Sequence, residues 1–271
     1  MRDTHRLYFG DLAADSRGTA DDRPPLVFLH GLSYDRRQWG PALDALATVD
    51  PDRRVLAFDL PGHGDSARRD SYPLDEVVAV LHQAVTDAGL DAPIVVGHSL
   101  GGVLATIYAA TYPARGVVNV DQPLLVGGFG EVLRRAEPVL RSPAYEEVWD
   151  SMLSRMHIEL LPPAAQELVR TATTPRQDLL LGYWHEVMVT PAEDLGERRT
   201  RDLETIRSRG IAYHHVTGDE PAPAYRRWLE SVLPEVAITV LPDSGHFPHL
   251  AHPVEFAEIL AGGQPADNAS K

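Results

Sequence analysis

The amino-acid sequence predicts an α/β fold in which a mostly parallel β-sheet is flanked by helices and carries one helical insertion. Short apolar runs end in polar turns, and nearly continuous apolar runs are typical of strands that are buried on both faces of a sheet. Longer helical patterns separate these runs, which indicates right-handed strand–helix–strand connections. Between residues 122 and 210 the alternation stops and only helical patterns remain.

The first part of the chain supplies predicted strands and helices in alternation. The predicted strands cover residues 26–29, 55–58, 94–96 and 117–120. The helical patterns between them cover residues 39–47, 74–88 and 100–112. The third helix is expected to end at residue 112 because Pro113 has no backbone N–H with which to continue it.

The second part of the chain resumes the same alternation after the insertion. Strands are predicted at 211–216 and 236–241, and helices at 224–232 and 253–260. Prolines divide the helical patterns of the insertion into short pieces. We therefore expect one core built from residues 1–121 and 211–271, one helical unit built from residues 122–210, and a loose terminal tail over residues 262–271.

The composition excludes several classes of function. The 271 residues include 25 Lys and Arg against 39 Asp and Glu, a net charge of −14, and such an acidic surface repels nucleic acid and anionic membranes. The absence of cysteine excludes disulfides and a cysteine nucleophile. No apolar run reaches the roughly 18 residues that span a bilayer, and residues 1–10 lack the apolar core of a signal peptide. We expect a small-molecule partner and a cytoplasmic location, and the oligomeric state stays open.

The strongest chemical signal is the pattern Gly97-His98-Ser99-Leu100-Gly101, which lies directly after a predicted strand and directly before a predicted helix. A G-x-S-x-G pattern in this position predicts a nucleophilic serine on a sharp strand-to-helix turn. The turn strains the serine backbone, and the glycines avoid clashes between tightly packed neighbours. The hydroxyl of Ser99 is then aimed at a helix N-terminus, which stabilises negative charge.

Motifs in a fixed order along the chain give it a resemblance to the α/β-hydrolase family. They are His30-Gly31-Leu32, Asp59-Leu60-Pro61-Gly62-His63-Gly64-Asp65-Ser66, the turn around Ser99, and Ser244-Gly245-His246-Phe247. The resemblance covers nearly the whole sequence. It implies an α/β-hydrolase fold, hydrolytic chemistry, and a helical cap over the active site, formed by the insertion.

A serine hydroxyl needs a base at neutral pH, and the resemblance implies His246 in the loop after the last strand. The triad also needs an acid to orient the imidazole, and here the sequence departs from the family pattern. The usual position, after the strand that ends near Val216, falls on Pro221, and Asp219 lies out of register. Some family members place the acid at the end of the preceding core strand, which is Asp121 in this chain. Asp121 and Asp219 both stay candidates, with Asp121 slightly favoured.

The remaining site residues concern the oxyanion and the substrate. An oxyanion hole requires two backbone donors, and the N–H groups of Leu32 and Leu100 are expected to supply them. The cap is expected to place Trp149 and Trp184 over an apolar pocket that has no strong anion site. No cofactor is expected, and no metal either, because the histidine pairs of the sequence lack carboxylates at ligand spacing.

These residues together suggest a serine hydrolase that cleaves a carboxylic ester or lactone of a small to medium, largely apolar substrate through an acyl-enzyme. A serine at position 99, where relatives that open epoxides or displace halide carry an aspartate, favours acyl transfer. The same triad would serve a C–C bond hydrolase or a perhydrolase. The alternative to an enzyme is a ligand receptor of the same fold that is only weakly catalytic.

Overall fold

The computed structural model describes residues 5–262, which form an eight-stranded sheet with helices packed against it. Most of the expected tail, residues 263–271, lies outside the described residues. The strands are β1 (His5–Phe9), β2 (Leu12–Arg17), β3 (Leu26–Leu29), β4 (Val55–Phe58), β5 (Ile94–His98), β6 (Gly116–Val120), β7 (Ala212–Thr217) and β8 (Ala237–Val240). No helix among residues 5–262 is both long enough and apolar enough to cross a bilayer.

The helices fall into two groups, those that flank the sheet and those that belong to the insertion. The flanking helices are α1 (Gly40–Val49), α2 (Leu74–Asp87), α3 (Leu100–Thr111), α10 (Pro223–Val232), α11 (Pro248–Ala251) and α12 (Pro253–Leu260). The insertion contains α4 (Phe129–Leu140), α5 (Tyr145–Leu153), α6 (Pro163–Thr171), α7 (Gln177–Tyr183), α8 (His185–Val189) and α9 (Ala192–Ser208). Residues 122–210 are all described and contain no strand.

The order of the strands is β1-β2-β4-β3-β5-β6-β7-β8, and every pair from β4 to β8 is parallel. The sheet is therefore mostly parallel, as the sequence predicts. His98 at the end of β5 pairs with Val120, and Val120 pairs with Val216 of β7. The loops that follow β5, β6 and β7 consequently open side by side at one edge of the sheet, where ligands bind in folds of this kind.

The N-terminal hairpin of β1 and β2 is not predicted from the sequence. The two strands are antiparallel, and β2 continues the sheet by pairing antiparallel with β4. Gly10 closes the turn with a φ of 56°, a conformation that favours glycine. Charged residues such as Arg6 in β1 and Asp15 in β2 interrupt the continuous apolar run that marks the other strands.

Apolar layers cover the sheet on both faces. In β3, Val27 and Leu29 pack into one hydrophobic cluster while Leu26 and Phe28 pack into the other, because successive side chains of a strand point to opposite faces. Residues of α2 and α3 complete the first cluster, and residues of α1 and α12 complete the second. The insertion contributes Leu180, among others, to the first cluster, so it packs against the core.

Candidate active site

Ser99 lies at the junction of β5 and α3 with a φ of 52° and a ψ of −122°. An L-residue rarely adopts this conformation, and it persists only where the surroundings enforce it. Main-chain hydrogen bonds do so here. The N–H of Ser99 donates to the Val120 oxygen at 3.0 Å, and its own carbonyl accepts from the N–H of Gly102 at 2.7 Å. The turn therefore holds the serine at the first turn of a helix.

The glycines around Ser99 are required by close packing of the backbone. A Cβ atom added to Gly97 would lie 2.0 Å from the carbonyl oxygen of Gly101. A Cβ atom added to Gly101 would lie 2.1 Å from the carbonyl oxygen of Leu29. Neither obstacle is a flexible side chain, so the sharp turn depends on glycine at both positions.

His246 and Asp121 form a hydrogen-bonded pair. The Nδ1 atom of His246 lies 2.7 Å from Oδ2 of Asp121, and both side chains are 19% exposed. The other carboxylate oxygen, Oδ1, accepts from the hydroxyl of Thr217 at 2.7 Å and from the N–H of Gly218 at 3.0 Å. The loops after β6, β7 and β8 therefore meet at one carboxylate.

The charge of Asp121 follows from these contacts. Burial raises the pKa of the carboxyl group, but the hydrogen bonds from His246, Thr217 and Gly218 outweigh burial and bring the pKa below its ordinary value of 3.8. The carboxyl group of Asp121 is ionised at neutral pH, so it accepts a hydrogen bond from the Nδ1–H group of His246. In the neutral imidazole the other nitrogen, Nε2, is then an acceptor.

Asp219, the other acid candidate, makes no hydrogen bond or ion pair with the imidazole. Its side chain is exposed at the edge of the same site, and its carbonyl oxygen accepts from the Thr217 hydroxyl at 3.1 Å. Within the described part of the chain its carboxylate makes no hydrogen bond. The geometry brings Asp121, and not Asp219, to His246.

A cavity of about 530 Å³ lies between the insertion and the core, and Ser99, Asp121 and His246 line it. Leu32 and Leu100 line it as well. Trp149 and Trp184 contribute aromatic walls from the insertion, 3% and 8% exposed, with ring centroids 6.4 Å apart. All of the sequence-predicted site residues, Asp219 included, border this one cavity.

Two buried histidines hold the loop that contains Leu32. His30 accepts at Nε2 from the N–H of Leu60 at 3.0 Å, and His63 accepts at Nε2 from the N–H of Ser33 at 3.1 Å. Burial lowers the pKa of both rings, which keeps them neutral and able to accept. These two hydrogen bonds therefore join the loop after β3 to the loop after β4.

The loop that carries His246 is anchored from two sides. His98 donates from Nε2 to the carbonyl oxygen of His246 at 2.7 Å, which links the loop to the serine turn. The N–H of His246 donates to the carbonyl oxygen of Met156 at 3.1 Å, which links it to the insertion. His249, the second residue of α11, is fully buried.

Two arginines at the cavity, Arg155 and Arg199, are not among the sequence-predicted site residues. Arg199 has a recognisable signal, because it stands four residues from both Leu195 and Leu203 on the buried face of α9. Arg155 lies in an irregular segment, where no periodic pattern in the sequence could have indicated its position at the cavity. Across residues 5–262 no three His, Asp or Glu side chains are grouped so that they could hold a metal ion.

Comparison with known proteins gives a consistent family and fold. The family model described as "Alpha/beta hydrolase family" matches residues 26–259. The 2-succinyl-6-hydroxy-2,4-cyclohexadiene-1-carboxylate synthase of Serratia proteamaculans (strain 568) is 26% identical over 252 residues, 88% of this chain and 92% of that protein. The solved enol-lactonase from Burkholderia xenovorans LB400 has a TM-score of 0.74 at 19% identity, with 95% of this chain and 98% of that chain covered. A solved protein that cleaves the ring of the Pseudomonas quinolone signal has a TM-score of 0.75 at 20% identity, with 93% and 96% covered.

Proposed function

The chain belongs to the alpha/beta hydrolase family, and from this premise we propose that it is a serine hydrolase that cleaves a carboxylic ester or lactone through an acyl-enzyme. One observation carries the proposal. Ser99, on a strained strand-to-helix turn, shares a cavity with His246, whose Nδ1 lies 2.7 Å from Asp121. In this proposal Ser99 is the nucleophile, His246 is the general base, and Asp121 orients the imidazole.

The proposed reaction has two halves. Ser99 Oγ bonds to the carbonyl carbon of the substrate while its proton passes to His246 Nε2. The bond between that carbon and the leaving oxygen then breaks, and the imidazolium gives its proton to the leaving oxygen. Water attacks the acyl carbon and yields a proton to His246, the bond to Ser99 breaks, and Oγ regains the proton. An ester gives a carboxylic acid and an alcohol, and a lactone gives one hydroxy acid.

The N–H groups of Leu32 and Leu100 are the proposed oxyanion donors. Both residues border the cavity with Ser99, and among residues 5–262 no main-chain oxygen accepts from either N–H. Leu100 is also the first residue of α3, where the helix dipole favours negative charge. Removing one such donor typically costs about 3 kcal/mol of transition-state stabilisation.

The proposed substrate is small to medium and largely apolar. The insertion acts as a cap in this proposal, and Trp149 and Trp184 are the proposed substrate-binding residues on its side of the cavity. A volume of about 530 Å³ lies within the range of small-molecule sites. The enol-lactonase with the same fold is consistent with a lactone as the substrate.

Labelling with a fluorophosphonate probe, followed by turnover of a panel of p-nitrophenyl esters and lactones, tests the proposal. Wild-type protein should label, and Ser99→Ala should not, with kcat reduced by a factor of about 10⁶. Ser154→Ala is the matched control, because Ser154 is exposed on the insertion and, among residues 5–262, its hydroxyl bonds only to the Ser151 carbonyl oxygen. Folded wild-type protein that neither labels nor turns over any substrate would refute the proposal and favour a receptor.

A further inference from the structure

Helix α9 carries a positive charge on its buried face. Leu195, Arg199, Leu203 and Ile206 follow one another at helical spacing, and all of them are buried. Arg199 is 8% exposed, as little as an ordinary core residue. A guanidinium in such a place costs free energy unless a carboxylate or hydrogen-bond acceptors compensate it.

That compensation is incomplete within the protein. The nearest carboxylate is Asp202, with Oδ2 3.0 Å from Nη1 of Arg199. The two atoms nevertheless lack hydrogen-bonding geometry, and both are buried with no hydrogen-bond partner in the described part of the chain. Burial raises the pKa of Asp202 above its ordinary value of 3.8, so the cost of desolvating the carboxylate outweighs the stabilisation that it gains from Arg199.

Arg199 borders the same cavity as Ser99 and His246. Leu195, one turn earlier on α9, borders it too, so this face of the helix forms part of the cavity wall. The acidic neighbour Glu186 also borders the cavity, but its carboxylate is already bonded to Arg198. Arg199 is thus a buried cation on the wall of the cavity that Ser99 lines, and its Nη1 makes an ion pair but no hydrogen bond in the described part of the chain.

We propose that Arg199 binds a carboxylate on the substrate, an inference that rests on the hydrolase function proposed above. A guanidinium pairs with a carboxylate through two parallel N–H···O bonds, which makes arginine suited to recognising this group. The substrate would then have an ester or lactone carbonyl at Ser99, an apolar chain, and a carboxylate at Arg199. This departs from the sequence-based expectation of a pocket without a strong anion site.

Matched esters test the inference. p-Nitrophenyl heptanoate and the mono-p-nitrophenyl ester of heptanedioic acid have the same chain length, but one ends in a methyl group and the other in a carboxylate. Wild-type protein should favour the acidic ester in kcat/KM by about tenfold or more, and a series of shorter and longer pairs locates the best fit. A wild-type preference for the methyl-terminated ester at every length would overturn the inference.

Variants on the same helix separate binding from structure. Arg199→Gln should raise KM for the acidic ester by about tenfold, whereas KM for the methyl-terminated ester and kcat for both esters should change much less. Arg201→Gln is the control, because Arg201 is 62% exposed and pairs with Glu197. Arg199→Lys keeps the charge without the planar fork and should lie between wild type and Arg199→Gln. Equal losses for both esters in Arg199→Gln and Arg199→Lys would indicate a structural role and overturn the inference.

A binding experiment distinguishes failure of this inference from failure of the hydrolase proposal. The monomethyl ester of heptanedioic acid and methyl heptanoate, which differ only in the terminal carboxylate, are titrated calorimetrically into Ser99→Ala, which cannot turn over. Selective binding of the acidic methyl ester that disappears in the Ser99→Ala, Arg199→Gln double variant supports the anion site even if no ester is hydrolysed. Hydrolysis of both esters without selective binding overturns the anion site and leaves the hydrolase proposal intact.

Discussion

Replacing Asp121 with asparagine should reverse the direction of the hydrogen bond to His246. One carboxylate oxygen of Asp121 accepts from the Thr217 hydroxyl and from the N–H of Gly218, at 2.7 and 3.0 Å. The N–H of Gly218 can only donate, so the asparagine must keep its oxygen there and turn its NH₂ group toward the imidazole. Nδ1 of His246 then has to accept, and the ring proton moves to Nε2. A protonated Nε2 cannot remove the proton from Ser99.

The expected effect is large. Asparagine at this position of a Ser-His-Asp triad lowers kcat by about 10⁴-fold because the imidazole is held in the wrong tautomer. At about 1.36 kcal/mol for each factor of ten, this corresponds to about 5 kcal/mol of activation free energy. Initial rates on the best ester or lactone of the panel, at saturating substrate, measure kcat directly. Circular dichroism checks that the variant is folded.

Asp219→Asn is the matched control for this experiment. Its carboxylate is exposed and bonds to nothing within residues 5–262, so the variant should keep wild-type kcat. Full activity in Asp121→Asn together with loss of activity in Asp219→Asn would refute the hydrogen-bonding argument and move the acid to the loop after β7.

Two predictions concern stability. Burial lowers the pKa of His249 to about 3, from an ordinary value of 6.5. As the pH falls below 6.5 the unfolded chain binds a proton at this residue before the folded protein does, so the free energy of unfolding decreases. His249 should account for about 2 kcal/mol of the stability that is lost between pH 8 and pH 5, so urea unfolding of His249→Leu at the two pH values should show a loss that is smaller by this amount. Equal pH dependence in the two proteins would contradict this prediction. Gly97→Ala should lower the free energy of unfolding by about 3 kcal/mol or more, because the new Cβ would lie 2.0 Å from the Gly101 oxygen. In Gly116→Ala the nearest contact is 3.5 Å, so this control should be tolerated, and equal stability of the two variants would mean that the serine turn can relax.

The buried strands of the core could be predicted because their sequences leave few alternatives. Residues 26–29 and 55–58 are continuous apolar runs, and the structure has β3 and β4 over those same residues. The hairpin could not be predicted, because β1 is stabilised by pairing with β2, and β2 by pairing with β4, rather than by apolar runs of their own. Tertiary pairing leaves no local mark of this kind in a sequence.

The residues of the candidate site also differ in how well the sequence predicts them. Ser99 and His246 stand in local motifs whose geometry depends on a few neighbouring residues, so the sequence indicates both. The choice between Asp121 and Asp219 depends on distances across neighbouring strands, which a sequence does not contain. Arg199 is overlooked because a charged residue on a helix is usually solvated, although its four-residue spacing from Leu195 and Leu203 places it on the buried face of α9.

The contact between Met156 and His246 joins two parts of the molecule that serve different tasks in the proposed mechanism. The carbonyl of Met156 belongs to the insertion, and the imidazole loop belongs to the core. One main-chain hydrogen bond therefore ties the position of the insertion to the position of the loop that carries the imidazole. In the proposed mechanism, the walls of the substrate cavity and the general base are thus set relative to each other by the same segment, residue 156.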